Sequence, residues 1–206
     1  AGDIILVKAG VYSERVNLKD LNGAQGNYIT IKGEPGAILD GNGALQSLFY
    51  TYGGGSWFII DGFEIKKSLN DGSIFLSGSH DVIIRNNTIH DTVGGAEGVY
   101  MPPGVYNILI EENQIYNIGG KEGIYASCPG SSCAPSYNIT IKNNYLHDIN
   151  NEAIDSARKH FSQFPQFRTF LDNRLEFVSV EDIPKTIQEC QLLINASPVG
   201  MNPKDG

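Results

Sequence analysis

Short runs of alternating apolar and polar residues, each broken by glycine or asparagine, recur through the middle of the chain. Three read alike: Val82-Ile-Ile-Arg-Asn-Asn-Thr-Ile-His-Asp, Ile108-Leu-Ile-Glu-Glu-Asn-Gln-Ile-Tyr-Asn and Ile139-Thr-Ile-Lys-Asn-Asn-Tyr-Leu-His-Asp. A weaker copy, Phe58-Ile-Ile-Asp-Gly-Phe-Glu-Ile, precedes them. Their equivalent isoleucines Ile60, Ile84, Ile110 and Ile141 are 24, 26 and 31 residues apart. Within a copy, alternation sends Ile108, Ile110 and Ile115 to one side and Glu111 and Gln114 to the other. After each copy comes a shorter strand opened by an acid: Asp71-Gly-Ser-Ile, Glu97-Gly-Val-Tyr, Glu122-Gly-Ile-Tyr and Glu152-Ala-Ile-Asp.

A repeat of this length built from short strands and Gly/Asn turns predicts a solenoid. Hairpins join neighbouring strands through turns of about two residues, whereas here like strands return a full coil later. Stacking like on like produces parallel ladders about 4.8 Å apart. The same register places Asn87, Asn113 and Asn144 at one bend. Asparagine tolerates left-handed backbone there, and stacked amides hydrogen-bond from coil to coil. The expected fold is an all-β solenoid, a right-handed parallel β-helix.

Composition divides the chain near Asp155. Residues 1–155 hold 22 of the 24 glycines and 9 Lys/Arg against 17 Asp/Glu, while 156–206 hold two glycines and 6 of each charge. The expected domains are therefore a truncated β-helix over 1–155 and a short α/β segment over 156–206. In the latter, Ala157-Arg-Lys-His-Phe reads as helix, Leu175-Glu-Phe-Val-Ser-Val as strand and Ile183-Pro-Lys-Thr-Ile-Gln-Glu-Cys as a short helix. The acidic body argues against nucleic acid as a partner. No apolar run approaches the ~20 residues of a membrane span, no basic-then-apolar leader appears within the sequence, so any secretion signal has been removed or lies outside it, and a monomer is expected. Cys128 and Cys133 bracket a Pro-Gly-Ser-Ser loop that accounts for the longest interval. They form either a disulfide of an oxidising compartment or two free loop thiols.

Two resemblances follow from particular residues. Gly2-Asp-Ile-Ile-Leu-Val-Lys-Ala-Gly-Val-Tyr-Ser-Glu, Ile29-Thr-Ile-Lys-Gly and Ile38-Leu-Asp-Gly resemble the N-terminal coils of the pectate-lyase-like β-helix superfamily. Ile84-Arg-Asn-Asn-Thr-Ile-His-Asp and Asn151-Glu-Ala-Ile-Asp resemble its internal coils. That superfamily contains lyases, hydrolases, epimerases and non-catalytic surface proteins, so the resemblance implies fold more than activity. In the tail, Leu192-Leu-Ile-Asn-Ala-Ser-Pro-Val-Gly-Met resembles part of the dinucleotide domain of shikimate dehydrogenases. No glycine-rich strand–turn–helix fingerprint precedes it, so the tail reads as a fused fragment that cannot transfer hydride.

Candidate chemistry gathers on the short strands. Aligning them on Gly72, Gly98, Gly123 and Ala153 stacks Asp71, Glu97, Glu122 and Glu152 in one column. Carboxylates about 5 Å apart repel unless a cation bridges them, and calcium suits such a column. The other reading is a solvated acidic edge. Lys121 beside that column, and Arg85 on a long strand, are the bases available for proton abstraction from a uronate, the step that begins β-elimination. Neighbouring acids raise the pKa of a lysine, which works against Lys121 as a free base. Tyr100 and Tyr125 fall in register and either stack on sugar rings or fill the core. His90 and His147, each followed by an aspartate, have the pattern of hydrogen-bonded turn residues. The expected function is that of a secreted or cell-surface carbohydrate-active β-helix, a lyase acting on acidic polysaccharide with calcium. The alternative is a non-catalytic carbohydrate-binding or surface solenoid.

Overall fold

The computed structural model describes residues 2–119, 122–127 and 133–147. The chain coils through three strands per turn. Coil 1 comprises β1 (Ile4–Val7), β2 (Gly10–Tyr12) and β3 (Val16–Asn17); coil 2, β4 (Ile29–Gly33), β5 (Ala37–Asp40) and β6 (Phe49–Tyr50). Coil 3 comprises β7 (Gly55–Asp61), β8 (Glu64–Lys66) and β9 (Ile74–Phe75); coil 4, β10 (Ser79–Arg85), β11 (Thr88–His90) and β12 (Val99–Met101). Coil 5 follows with β13 (Tyr106–Glu111), β14 (Gln114–Tyr116) and β15 (Ile124–Ala126), and a sixth begins with β16 (Tyr137–Lys142) and β17 (Tyr145–Leu146). Every third strand stacks in parallel on its equivalent, giving sheet I (β1-β4-β7-β10-β13-β16), sheet II (β2-β5-β8-β11-β14-β17) and sheet III (β3-β6-β9-β12-β15). This is the all-strand parallel solenoid expected of a right-handed β-helix. The compact unit that holds the coils ends at Tyr145. The expected boundary at Asp155 and the α/β segment lie outside the described residues.

Alternation builds the core. Ile31, Ile60, Ile84 and Ile110 stack in register inside sheet I. Leu39, Ile65, Ile89 and Ile115 do so inside sheet II, and Phe49, Ile74 and Val99 inside sheet III. None of these side chains is more than 4 % exposed, and burying each contributes about 1.5–3 kcal/mol. Ile108, Ile110 and Ile115 point inward as the pattern predicts, each at most 1 % exposed.

At the bend from sheet I to sheet II the polar residues are as ordered as the core. Gly62, Asn86, Glu112 and Asn143 all take positive φ, between 54° and 83°, which turns the chain sharply in one residue. The next position carries the asparagine column. Asn113 Oδ1 accepts from the Asn87 backbone N–H at 3.0 Å and from Asn87 Nδ2 at 3.1 Å. Asn144 Oδ1 accepts from Asn113 Nδ2 at 2.9 Å, and the column starts where Phe63 N–H donates to Asn87 Oδ1 at 3.0 Å. Asn87 and Asn113 are 1 % and 2 % exposed, so their amides satisfy buried backbone groups that water cannot reach.

Candidate functional site

The outward side of sheet III carries an unbroken aromatic column. Register places Tyr50 opposite Phe75, Phe75 opposite Tyr100, and Tyr100 opposite Tyr125. Phe75 meets Tyr100 edge to face at 5.2 Å between ring centres, and Tyr100 stacks on Tyr125 at 5.2 Å. Tyr52, 43 % exposed, packs between Tyr50 and Phe75 at 5.3 and 5.0 Å. Tyr100 and Tyr125 thus adjoin as the pattern predicts, on the outside of the coil and half-buried. Sequence reasoning missed Tyr50 and Phe75, though a repeated apolar–aromatic pair marks them: Phe49-Tyr50, Ile74-Phe75, Val99-Tyr100, Ile124-Tyr125.

They were missed because the glycine alignment is one residue out in coil 3. Ile74 pairs with Val99, and Asn70 and Asp71 before it both take a φ of 52°, so the chain bends ahead of the strand and does not carry its register back to the acid. Setting Gly72 against Gly98 instead would bring Ile74 opposite Tyr100, on the outward side. A one-residue slip exchanges core and solvent faces, and Ile74, fully buried, decides the register. Gly72 has its own reason to be glycine: a Cβ there would lie 2.6 Å from Tyr100 Cβ. Glu97 and Glu122 each stand two residues before the paired Val99 and Ile124, whereas Asp71 lies in the bend before Gly72. Glu97 is half-buried and Glu122 is 7 % exposed. Burial raises the pKa of the Tyr125 phenol, and so do Tyr100, Glu122 and Glu97 beside it. Among the described residues no group of three or more His, Cys, Asp and Glu is disposed to hold a metal ion. Glu152, the fourth member of the expected column, lies outside the described residues, as does Lys121.

Arg85 stands elsewhere. It projects from sheet I, not sheet III, so the structure does not bring it to the tyrosines. There Lys32, Asp61, Arg85, Glu111 and Lys142 occupy one register column of alternating charge. Arg85 Nη2 and Nε lie 3.1 and 3.2 Å from Asp61 Oδ2, and Lys142 Nζ lies 3.1 Å from Glu111 Oε2. Arg85 donates twice to an acid on the preceding coil and so ties neighbouring coils together.

Sheet II displays a second polar group, also tying coils. Asp40, Lys66, His90 and Tyr116 share an outward column, and His90 stacks flat on Tyr116 at 4.8 Å. His90 Nδ1 meets Asp91 Oδ2 at 3.0 Å and its Nε2 meets Glu64 Oε1 at 3.3 Å. Lys66 Nζ donates to the same Glu64 oxygen at 2.8 Å. The hydrogen bond from Lys66, aided by its charge and by His90, holds the Glu64 carboxyl below its ordinary 4.5 against the opposing effect of burial. A carboxyl depressed in the folded state adds stability above the unfolded value, and that stability is lost as pH falls through the lower folded value. Melting temperature should therefore decline on acidification below about pH 4.5, and less steeply in Glu64→Gln. Identical slopes in the two proteins would remove Glu64 from the acid response.

Arg15, which no repeat in the sequence marks, closes the aromatic column at coil 1. Its guanidinium carbon lies 4.3 Å from the centre of the Tyr50 ring, and its Nε donates to Ser47 O at 3.1 Å. Cys133 is disulfide-bonded, and Cys128 lies outside the described residues. Among the described residues no helix is long and apolar enough to cross a membrane.

No curated protein and no solved structure matches the chain. The family model described as a right handed beta helix region matches residues 49–174. That span includes coils 3 to 5, the asparagine column and all four rings of the aromatic column, and the chain belongs to the right-handed β-helix family.

Proposed function

We propose that the protein is a carbohydrate-binding β-helix working outside the cell or at its surface, with the outward side of sheet III as its sugar-binding face. The observation that carries this reading is the aromatic column Tyr50, Phe75, Tyr100, Tyr125, continuous over four coils. Aromatic rings offer apolar area to the C–H faces of sugars, and their phenol hydroxyls exchange hydrogen bonds with sugar hydroxyls. Glu97 and Glu122 alongside add acceptors for those hydroxyls. A rigid ladder of strands fixes all of these groups before the ligand arrives, which lowers the ordering cost of binding.

Affinity electrophoresis in gels containing neutral or acidic polysaccharide tests the reading. Tyr125→Ala should weaken binding about tenfold, the loss of one ring's contact area, whereas Tyr125→Phe should retain most of it. Absence of retardation of the native protein in every polysaccharide would sink the proposal.

A second reading adds β-elimination on an acidic polysaccharide. It is favoured by the place of Lys121, immediately before Glu122 and four residues before Tyr125 in the chain. Arg85 does not support it, and no step is assigned to calcium. Ultraviolet absorbance of unsaturated uronide on incubation with pectate or alginate, lost in Lys121→Ala, would add catalysis to binding. A flat trace with every uronate polymer leaves the binding module alone.

A further inference from the structure

Near the start of sheet I one register column takes left-handed backbone in four successive coils. Its members are Trp57, Asp81, Asn107 and Asn138, with φ between 53° and 57°. Aspartate and asparagine accept that geometry, whereas a bulky side chain there is an outlier that costs on the order of 1–3 kcal/mol. Every other non-glycine residue with positive φ among the described residues is Asp, Asn, Lys or Glu. Gly23 packs on the Trp57 carbonyl so closely that no Cβ would fit between them, so the neighbouring chain holds the tryptophan in place. Backbone outliers held in this way gather at ligand sites. Trp57 is half-buried and is the single tryptophan of the chain.

Beside it stands a histidine with an unused nitrogen. His80 Nδ1 lies 2.7 Å from Asp81 Oδ2. Asp81, buried, is fixed in turn by Asn107 Nδ2, which donates to its Oδ1 at 3.0 Å, and Asn107 Oδ1 accepts from Asn138 Nδ2 at 2.6 Å. A carboxylate only accepts, so in the neutral imidazole the proton is on Nδ1 and Nε2 is left as an acceptor. The His80 side chain is 32 % exposed. Its Nε2 has no partner among the described residues and is not one of the atoms shut off from solvent. His90, by contrast, has both ring nitrogens engaged.

These groups converge on one place. Ser56 and Phe58 pair with His80 and Val82, so Trp57 between them stands opposite Asp81, the residue that His80 bonds. Neighbouring coils are about 4.8 Å apart, so the indole and the imidazole flank the same carboxylate. On the Trp57 side, Tyr28 meets the indole edge to face at 5.4 Å. Burial, and then the charge of Asp81, raise the pKa of the Tyr28 phenol, which keeps it a hydroxyl donor. On the other side His80 stacks flat on Tyr106 at 4.7 Å, and Tyr106 on Tyr137 at 5.0 Å.

We propose that Trp57 and His80, with Tyr28 and Tyr106 beside them, form a second ligand site, on sheet I, that seats one uncharged sugar ring. The indole takes the C–H face of the ring and His80 Nε2 accepts from one of its hydroxyls. The Asp81 carboxylate disfavours an acidic sugar at the same place. This site goes beyond the sheet III face and stands or falls apart from it.

Because Trp57 is the one tryptophan, its fluorescence, excited selectively, reads this site. Titration of the native protein with cellohexaose, xylohexaose and mannohexaose should change the emission saturably for at least one of them. His80→Phe keeps a ring in the stack without its nitrogens and should weaken that titration about tenfold, the worth of one hydrogen bond. Tyr125→Ala, on sheet III, should leave it unchanged. Emission indifferent to all three sugars, or a titration equal in His80→Phe, overturns the site. In either case, electrophoretic retardation that Tyr125→Ala weakens leaves the sheet III face standing. A fluorescence titration abolished by Tyr125→Ala also overturns a separate site. Should His80→Phe not fold, acrylamide quenching of the native protein decides: bound sugar should shield Trp57, and equal quenching with and without saturating sugar overturns the site.

Discussion

Replacing Asn113 by alanine should cost at least about 3 kcal/mol of stability, because one side chain serves three coils and its removal strands buried groups worth about 1–3 kcal/mol each. Asn113 Oδ1 accepts from both the backbone N–H and the side chain of Asn87. Its Nδ2 donates to Ile84 O and Glu111 O, each at 3.0 Å, and to Asn144 Oδ1 at 2.9 Å. Alanine offers none of these, and at 2 % exposure water cannot substitute. The melting temperature should fall by roughly 10 °C for a domain of this size. Thr88→Ala is the comparison: it also stands near the bend, on the outward side of β11 and half-buried, and should change stability by less than about 1 kcal/mol. Chemical denaturation of the two variants reads the difference. Equal midpoints would mean that the amide column is not what holds neighbouring coils in register.

Ile84→Ala and Ile83→Ala should differ by about 2 kcal/mol or more although they are the same change at adjacent positions. Ile84 is fully buried between Ile60 and Ile110. Its truncation removes transfer energy and leaves a cavity between stiff ladders, for a loss of about 3–4 kcal/mol. Ile83 lies outward between Ile59 and Leu109, half-buried, and its truncation should cost about 1 kcal/mol. Urea unfolding curves with unchanged slope give the two values. A larger loss at Ile83 would place sheet I the other way round and contradict the whole inward–outward assignment.

Both predictions draw on features legible in the sequence. Alternation and intervals of 24 to 31 residues between equivalent isoleucines are local statements, and a β-coil obeys them because side chains alternate strictly along a strand. Asn87, Asn113 and Asn144 were recognisable for the same reason: a bend that recurs in register needs the same residue each time, and asparagine both accepts the turn and bonds along the stack. Tyr100 and Tyr125 were found because their coils share the glycine that the alignment used.

The candidate site was less legible, because its parts lie far apart in the chain. Burial of Ile74 fixes its pairing with Val99, since expelling a fully buried isoleucine costs about 1.5–3 kcal/mol. The place of Asp71 depends on the positive φ at Asn70 and at Asp71 itself, which the glycine pattern does not show. Arg85 looked like a free base in sequence, since nothing local shows that Asp61, 24 residues earlier, lies across the sheet from it.

The sequence by itself determined that this chain is a β-helix: the period, the alternation and the asparagine bend are each encoded within one coil and need only repetition to act. Tertiary structure alone decided which side chains share a column, because register is settled by the packed core of neighbouring coils and not by any one of them. That is why Tyr50 and Phe75 join the tyrosines, why Arg85 leaves the site, and why Arg15, 35 residues from Tyr50 in the chain, comes to lie over its ring.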